Sequence, residues 1–88
     1  MGDNAHTASL FPHTIILHQQ NALVKEVYVD EIKMNRVSFT APLINNAKHI
    51  LFLVKAKEDI LKKVLEREYL PEEYPAQLIK NPQWFIGE

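Results

Sequence analysis

Ile50-Leu51-Phe52-Leu53-Val54 is an unbroken apolar run, and the stretch Glu58-Asp59-Ile60-Leu61-Lys62-Lys63-Val64-Leu65-Glu66-Arg67-Glu68 that soon follows has a different period. A run without polar alternation suits a strand buried on both faces, as in a parallel sheet flanked by helices. In the second stretch Ile60, Leu61, Val64 and Leu65 fall on one side at helical spacing, while Lys62, Lys63, Glu66 and Arg67 face water. Pro71 and Pro75 bracket a turn, and Trp84-Phe85-Ile86 reads as a final strand. Strand, helix and strand in that order place the chain among α/β or α+β folds.

Working back from that unit, Lys25 to Ile32 alternates, with Val27 and Val29 on one face and Tyr28 and Asp30 on the other. Arg36 to Thr40 alternates too, setting Val37 and Phe39 against Arg36, Ser38 and Thr40. Lys33-Met34-Asn35 is a linker of hairpin length, so the two segments are expected to pair antiparallel. Thr40-Ala41-Pro42 resembles a helix start with proline in its first turn, predicting a short helix over Leu43 to Ala47. His13 to Asn21 has no clear period and reads as loop or edge strand. Ahead of it, small and polar residues lead into a helical turn expected from His6 to Phe11, with Asp3 or Asn4 as its N-cap and Pro12 as its stop.

Composition narrows the function classes. The 88 residues carry 10 Lys+Arg and 11 Asp+Glu, a formal net charge of −1, which argues against nonspecific nucleic-acid binding. Hydrophobic residues at 47% and charged residues at 24% are ordinary globular proportions, not those of a disordered tail. No run approaches the ~18 apolar residues of a membrane helix. The absence of cysteine and of a basic-then-apolar leader fits the cytosol. A single domain over residues 1–88 buries only about 60–65% of its unfolded surface, which leaves a thin stability margin and little room to enclose a substrate.

The stretch Met1-Gly2-Asp3-Asn4-Ala5-His6-Thr7-Ala8-Ser9-Leu10-Phe11-Pro12 resembles the signature of the 6-phosphogluconolactonases, in which a glycine and a variable residue precede Asp-Gly-His-Thr-Ala-Ser-Leu-Phe-Pro. The resemblance continues through Arg36-Val37-Ser38-Phe39-Thr40 with Pro42, Ile44 and Asn45, then His49 to Val54, Tyr74-Pro75-Ala76-Gln77-Leu78-Ile79 and Trp84. It covers nearly the whole chain but only the C-terminal portion of a family enzyme. The fold it implies is α/β, the C-terminal part of a Rossmann-like, doubly wound sheet with a β-hairpin, a buried strand and flanking helices. The activity it implies is hydrolysis of 6-phospho-D-glucono-1,5-lactone to 6-phosphogluconate in the oxidative pentose phosphate pathway, with no cofactor. The partners it implies are the sugar-phosphate lactone and either the missing N-terminal portion or a second copy.

Lactone hydrolysis needs a base to activate water and donors for the oxyanion of a tetrahedral intermediate. The resemblance makes His6 that base, since neutral imidazole near working pH can take the water proton. Asn4 stands where the family has Asp, so it can hydrogen-bond the imidazole without supplying negative charge; adjacent Asp3 is expected to share the orienting role. Ala5 stands where the family has Gly and loses the cheap positive φ that Gly allows. Gly2, Thr7 and Arg36 are the expected substrate contacts. For the phosphate, counting back along the helix from Val64-Leu65 selects Lys57, whereas counting forward from Val54 selects Asp59, which repels a dianion; we prefer Lys57.

Other readings remain beside this one. A glucosamine-6-phosphate deaminase/isomerase relative shares the fold and a similar Asp-Gly-His motif, but Leu10-Phe11 favours the lactonase. A catalytically incomplete folding or binding domain is favoured by Asn4 and by the lack of the family's Gly-rich phosphate loop. His13, His18 and His49 read as solvated or edge residues, and the spacing of His6, His13 and His18 fits no common zinc pattern. Trp84 and Phe85 are expected to be core or edge fillers in an intact enzyme and sticky surfaces in a truncated one.

Overall fold

The computed structural model describes residues 1–55, 57–66 and 68–87, leaving aside the side chain of Glu66. Two small two-stranded sheets organise the chain. Strands β1 (Val24–Val29) and β2 (Met34–Phe39) pair antiparallel, with Val27 opposite Arg36 and Val29 opposite Met34. A 3-10 turn over Asp30–Ile32 joins them and ends at Lys33, whose φ of 51° provides the reversal. The connection therefore begins three residues ahead of the linker expected from the sequence, and Met34 and Asn35 belong to the strand.

Thr40 caps the next element from a fully buried position. Its hydroxyl accepts from the Leu43 N–H at 3.5 Å and donates to the Ala22 carbonyl at 2.7 Å. Helix α1 (Ala41–Asn45) follows, with Pro42 in its first turn where a missing N–H costs nothing. Asn45 then clamps α1 to the far end of the chain, donating to the Leu78 carbonyl at 2.9 Å and accepting from the Lys80 N–H at 2.8 Å.

Strand β3 (Leu51–Lys55), helix α2 (Glu58–Glu66) and strand β4 (Gln83–Gly87) form the expected crossover, and β3 and β4 run parallel. Leu61 and Val64 are buried, Ile60 is half-buried and Leu65 is exposed. Gln77 closes the C-terminal end of α2, its amide donating to the carbonyls of Val64 at 3.2 Å and Glu68 at 3.1 Å. Phe52 and Trp84 stack with ring centroids 4.6 Å apart. The expectation that Glu66 and Arg67 face water lies outside the described residues.

Three expectations are corrected. The apolar run is covered on one face only: Phe52 and Val54 are buried, while Leu53 is 74% exposed. Residues His6 to Phe11 form no helix; the Leu10 N–H donates to the Thr7 carbonyl at 2.9 Å in a tight reversal, with Ala8 at φ 50°. Residues 15–18, expected as loop or edge strand, form a 3-10 turn that buries Ile16 and Leu17. Those two side chains join Leu10, Phe11, Val27, Val29 and Ala41 in one core, while Ala5, Phe52, Val54, Val64, Ala76 and Ile79 form a second. The loop from Gly2 to Phe11 lies between the two cores and contributes to both.

Candidate active site

The loop is held by its own backbone. The Gly2 N–H donates to the His6 carbonyl at 2.8 Å, and the Ala5 N–H to the Gly2 carbonyl at 3.0 Å. This tight closure needs a left-handed residue, and Ala5 fills the role with φ 65°. An alanine there is strained by about 1–2 kcal/mol relative to glycine. The buried methyl of Ala5 offsets part of that cost by packing in the second core. The Ala5 carbonyl accepts from the Ala76 N–H at 2.9 Å, so the Pro75-Ala76 turn supports the loop from beneath.

His6 is placed by its neighbours on three sides. Its ring stacks on Phe11, centroids 4.1 Å apart and planes 9° from parallel. Gly2 lies so close that a Cβ there would overlap the ring atoms, so glycine is required for approach rather than for φ. Asn4 Oδ1 sits 2.6 Å from His6 Nδ1 and also accepts from the His6 backbone N–H at 3.2 Å. An amide oxygen only accepts, so the neutral ring carries its proton on Nδ1 and keeps the lone pair on Nε2. Partial burial favours this neutral form and lowers the His6 pKa. The α-amino group of Met1 and Arg36 push the same way, and Glu31 and Asp3 oppose them.

Asp3 does not reach the imidazole. Its carboxylate pairs with Lys57 Nζ at 2.6 Å, and that hydrogen bond and charge hold its pKa below the usual range. Of the two expected orienting residues, Asn4 alone bonds the ring. Lys57 directly precedes α2, its carbonyl accepting the Leu61 N–H at 2.9 Å. It lines an open groove of about 280 Å³ together with Asp3, Glu58, Asp59, Ile60 and Lys63. Asp59 lines the same groove from the first turn of α2, so the two residues that counting proposed for phosphate contact are neighbours of opposite charge.

Arg36 is exposed on β2, its Nε 3.3 Å from Met34 Sδ, and its charge is felt at His6. Thr7 is half-buried beside His6 in the reversal that closes on Leu10. In place of a helical turn there is a folded loop in which the N–H groups of Gly2, Ala5, His6, Ser9 and Leu10 all donate within the chain. His13 and His18 are exposed and both meet Glu72. Among the described residues, no group of three or more metal-ligating side chains is arranged to hold a metal ion.

Three contributors were not singled out from the sequence. Phe11 lies inside the motif, where its stacking role has no separate signature. Ser38 accepts the buried Ser9 N–H at 2.9 Å, a contact that joins the loop to β2. Glu31 accepts from Asn4 Nδ2 at 2.7 Å across 27 residues of chain. No periodicity marks that approach; the hairpin creates it.

With this geometry in place, resemblance to known proteins is informative. A family model described as glucosamine-6-phosphate isomerases/6-phosphogluconolactonase matches residues 1–86. A 6-phosphogluconolactonase of Synechocystis is 40% identical over all of this chain and 38% of its own length. That of Haemophilus influenzae is 43% identical over all of this chain and 40% of its own. The crystal structure of 6-phosphogluconolactonase from Thermotoga maritima superposes with a TM-score of 0.79 at 29% identity, covering all of this chain and 40% of that one. The chain thus spans about two fifths of the length of these relatives.

Proposed function

Because this chain belongs to the glucosamine-6-phosphate isomerase/6-phosphogluconolactonase family, we propose that it carries the catalytic histidine of a site that hydrolyses 6-phospho-D-glucono-1,5-lactone. The observation that carries the reading is the Asn4–His6 bond, which leaves Nε2 as a free lone pair on a ring clamped by Phe11 and Gly2. Nε2 takes a proton from water as the water oxygen bonds to the lactone carbonyl carbon. The tetrahedral oxyanion then collapses, the ring C–O bond breaks, and the imidazolium returns its proton to the leaving oxygen. The product is the open 6-phosphogluconate, and the base is regenerated without a cofactor.

Lys57 is the proposed phosphate contact. It exchanges Asp3 for the substrate dianion, with Arg36 as the second cation and Gly2 and Thr7 lining the approach to His6. In the enzyme this portion completes a Rossmann-like sheet, and the reaction belongs to the oxidative pentose phosphate pathway of the cytoplasm. No helix of the described residues is long and apolar enough to cross a membrane, which is compatible with that location. The exposed faces of both sheets favour a site that works only with the remainder of the domain, so the activity belongs to the assembled fold.

The family also contains isomerases, and the two branches are separable by substrate. Supplied with fresh 6-phosphogluconolactone and with glucosamine 6-phosphate, the chain joined to its complementary N-terminal portion is expected to hydrolyse the lactone above the spontaneous rate and release no ammonia. Ammonia release without lactone hydrolysis would overturn the assignment.

A further inference from the structure

The site contains an acidic residue that the lactonase signature does not anticipate. Asn4 uses both ends of its amide: Nδ2 donates to Glu31 Oε2 at 2.7 Å, and Oδ1 faces His6 Nδ1 at 2.6 Å. The orientation of an amide follows from its partners. A carboxylate accepts only, so the end facing Glu31 is the NH2. The His6 backbone N–H donates only, so the end it meets at 3.2 Å is the oxygen. Both demands agree, and together they fix the proton of neutral His6 on Nδ1.

We propose that Glu31 is a positioning residue for His6, acting through the Asn4 amide to hold the ring in its Nδ1–H form and restoring, one hydrogen bond further out, the negative charge that Asn4 lacks. The carboxylate polarises the amide, which makes Oδ1 a stronger acceptor for the imidazole N–H. It also favours the imidazolium that forms when water gives up its proton. The groups whose charges act on His6 are Asp3 and Glu31 on the negative side, and Arg36 and the Met1 α-amino group on the positive side. Of these only Glu31 is connected to the ring through hydrogen bonds of Asn4. The 3-10 turn Asp30–Ile32 places it there, stopped by the left-handed Lys33. The catalytic meaning of this role rests on the proposed lactonase reaction; the role itself concerns the ring.

The test is therefore made on the ring. The nitrogen signals of His6, assigned by their loss in His6→Ala, are followed by NMR across the histidine titration in the wild-type chain, Glu31→Gln and Glu31→Ala. The wild type is expected to show the Nδ1–H form. Glu31→Gln keeps an acceptor for Asn4 and is expected to keep that form while its titration midpoint moves to lower pH. Glu31→Ala is expected to lower the midpoint and also to lose the Nδ1–H excess, which Asn4→Asp in the same chain restores. An unchanged midpoint in Glu31→Gln, or unchanged tautomer and midpoint in a folded Glu31→Ala, would overturn the proposal. If the ring responds as expected while the joined chain hydrolyses no lactone, the positioning role stands and the reaction assignment falls.

Discussion

At the scale of single residues, the motif works through unusual placements. Ala5 and Ala8 hold φ of 65° and 50°, in a region that favours glycine. The loop keeps them because its other groups are tied down on all sides. This explains why a stretch of small residues that reads as a helical turn does not become one. A helix from His6 would require the Ser9 and Leu10 N–H groups, which are already committed to Ser38 Oγ and the Thr7 carbonyl. His6 was singled out by its motif, and its role as base is the one proposed above. The identity of its partners was not, because Glu31 arrives from another element and Asp3 leaves for Lys57.

The lowered His6 pKa has a definite sign. The unfolded chain binds a proton at His6 more readily than the folded one, so stability falls as pH falls through the histidine range and levels off below the folded pKa. Urea unfolding of wild type and His6→Ala from pH 8 to pH 5 checks this. The stability of wild type relative to the variant is expected to decline with acidification, and a relative stability that rose would contradict the neutral, half-buried ring.

At the scale of elements, the hairpin is the instructive case. Its two strands and their antiparallel pairing were legible from alternation, but the inward face of β2 was not. Val37 is 74% exposed and Phe39 is 58% exposed, while polar Ser38 and Thr40 point inward and are buried. Hydropathy alone assigns such a strand the wrong way round. The physical reason is hydrogen bonding: Ser38 Oγ satisfies the buried Ser9 N–H and donates to the Phe39 carbonyl at 2.8 Å, and Thr40 satisfies Ala22. A valine at position 38 would leave the Ser9 N–H buried and unpaired, a loss of about 1–3 kcal/mol. Ser38→Val is thus expected to destabilise the chain by that amount in chemical denaturation, despite raising the strand's apolar content. A neutral or stabilising result would mean that the loop does not depend on β2. By contrast α2 and the parallel crossover were readable because their periods are strong and their partners are sequential.

At the scale of the molecule, the chain combines a compact outline with uncovered apolar sheets. The radius of gyration is 12.5 Å, near the ~12 Å of a self-contained domain of this length. Yet Val24, Tyr28, Val37 and Phe39 share the outer face of the hairpin, and Leu53, Phe85 and Ile86 are exposed on the parallel pair. Parallel sheets are ordinarily covered on both faces. The unbroken run Ile50–Val54 suits such burial, yet Leu51 and Leu53 are exposed while Phe52 and Val54 are buried. In the function proposed for this chain, these faces pack against the part of the relatives' length that it does not span, and the site at His6 is complete only with that part.

That arrangement makes one rate decisive: the initial hydrolysis of 6-phosphogluconolactone by the chain combined with its complementary N-terminal portion, compared for wild type and His6→Ala at equal folded concentration. Removal of the base proposed at His6 is predicted to lower the rate about 10²–10⁴-fold, toward the spontaneous one. Equal rates for the two combinations would contradict His6 as the base, and with it the function proposed for this chain.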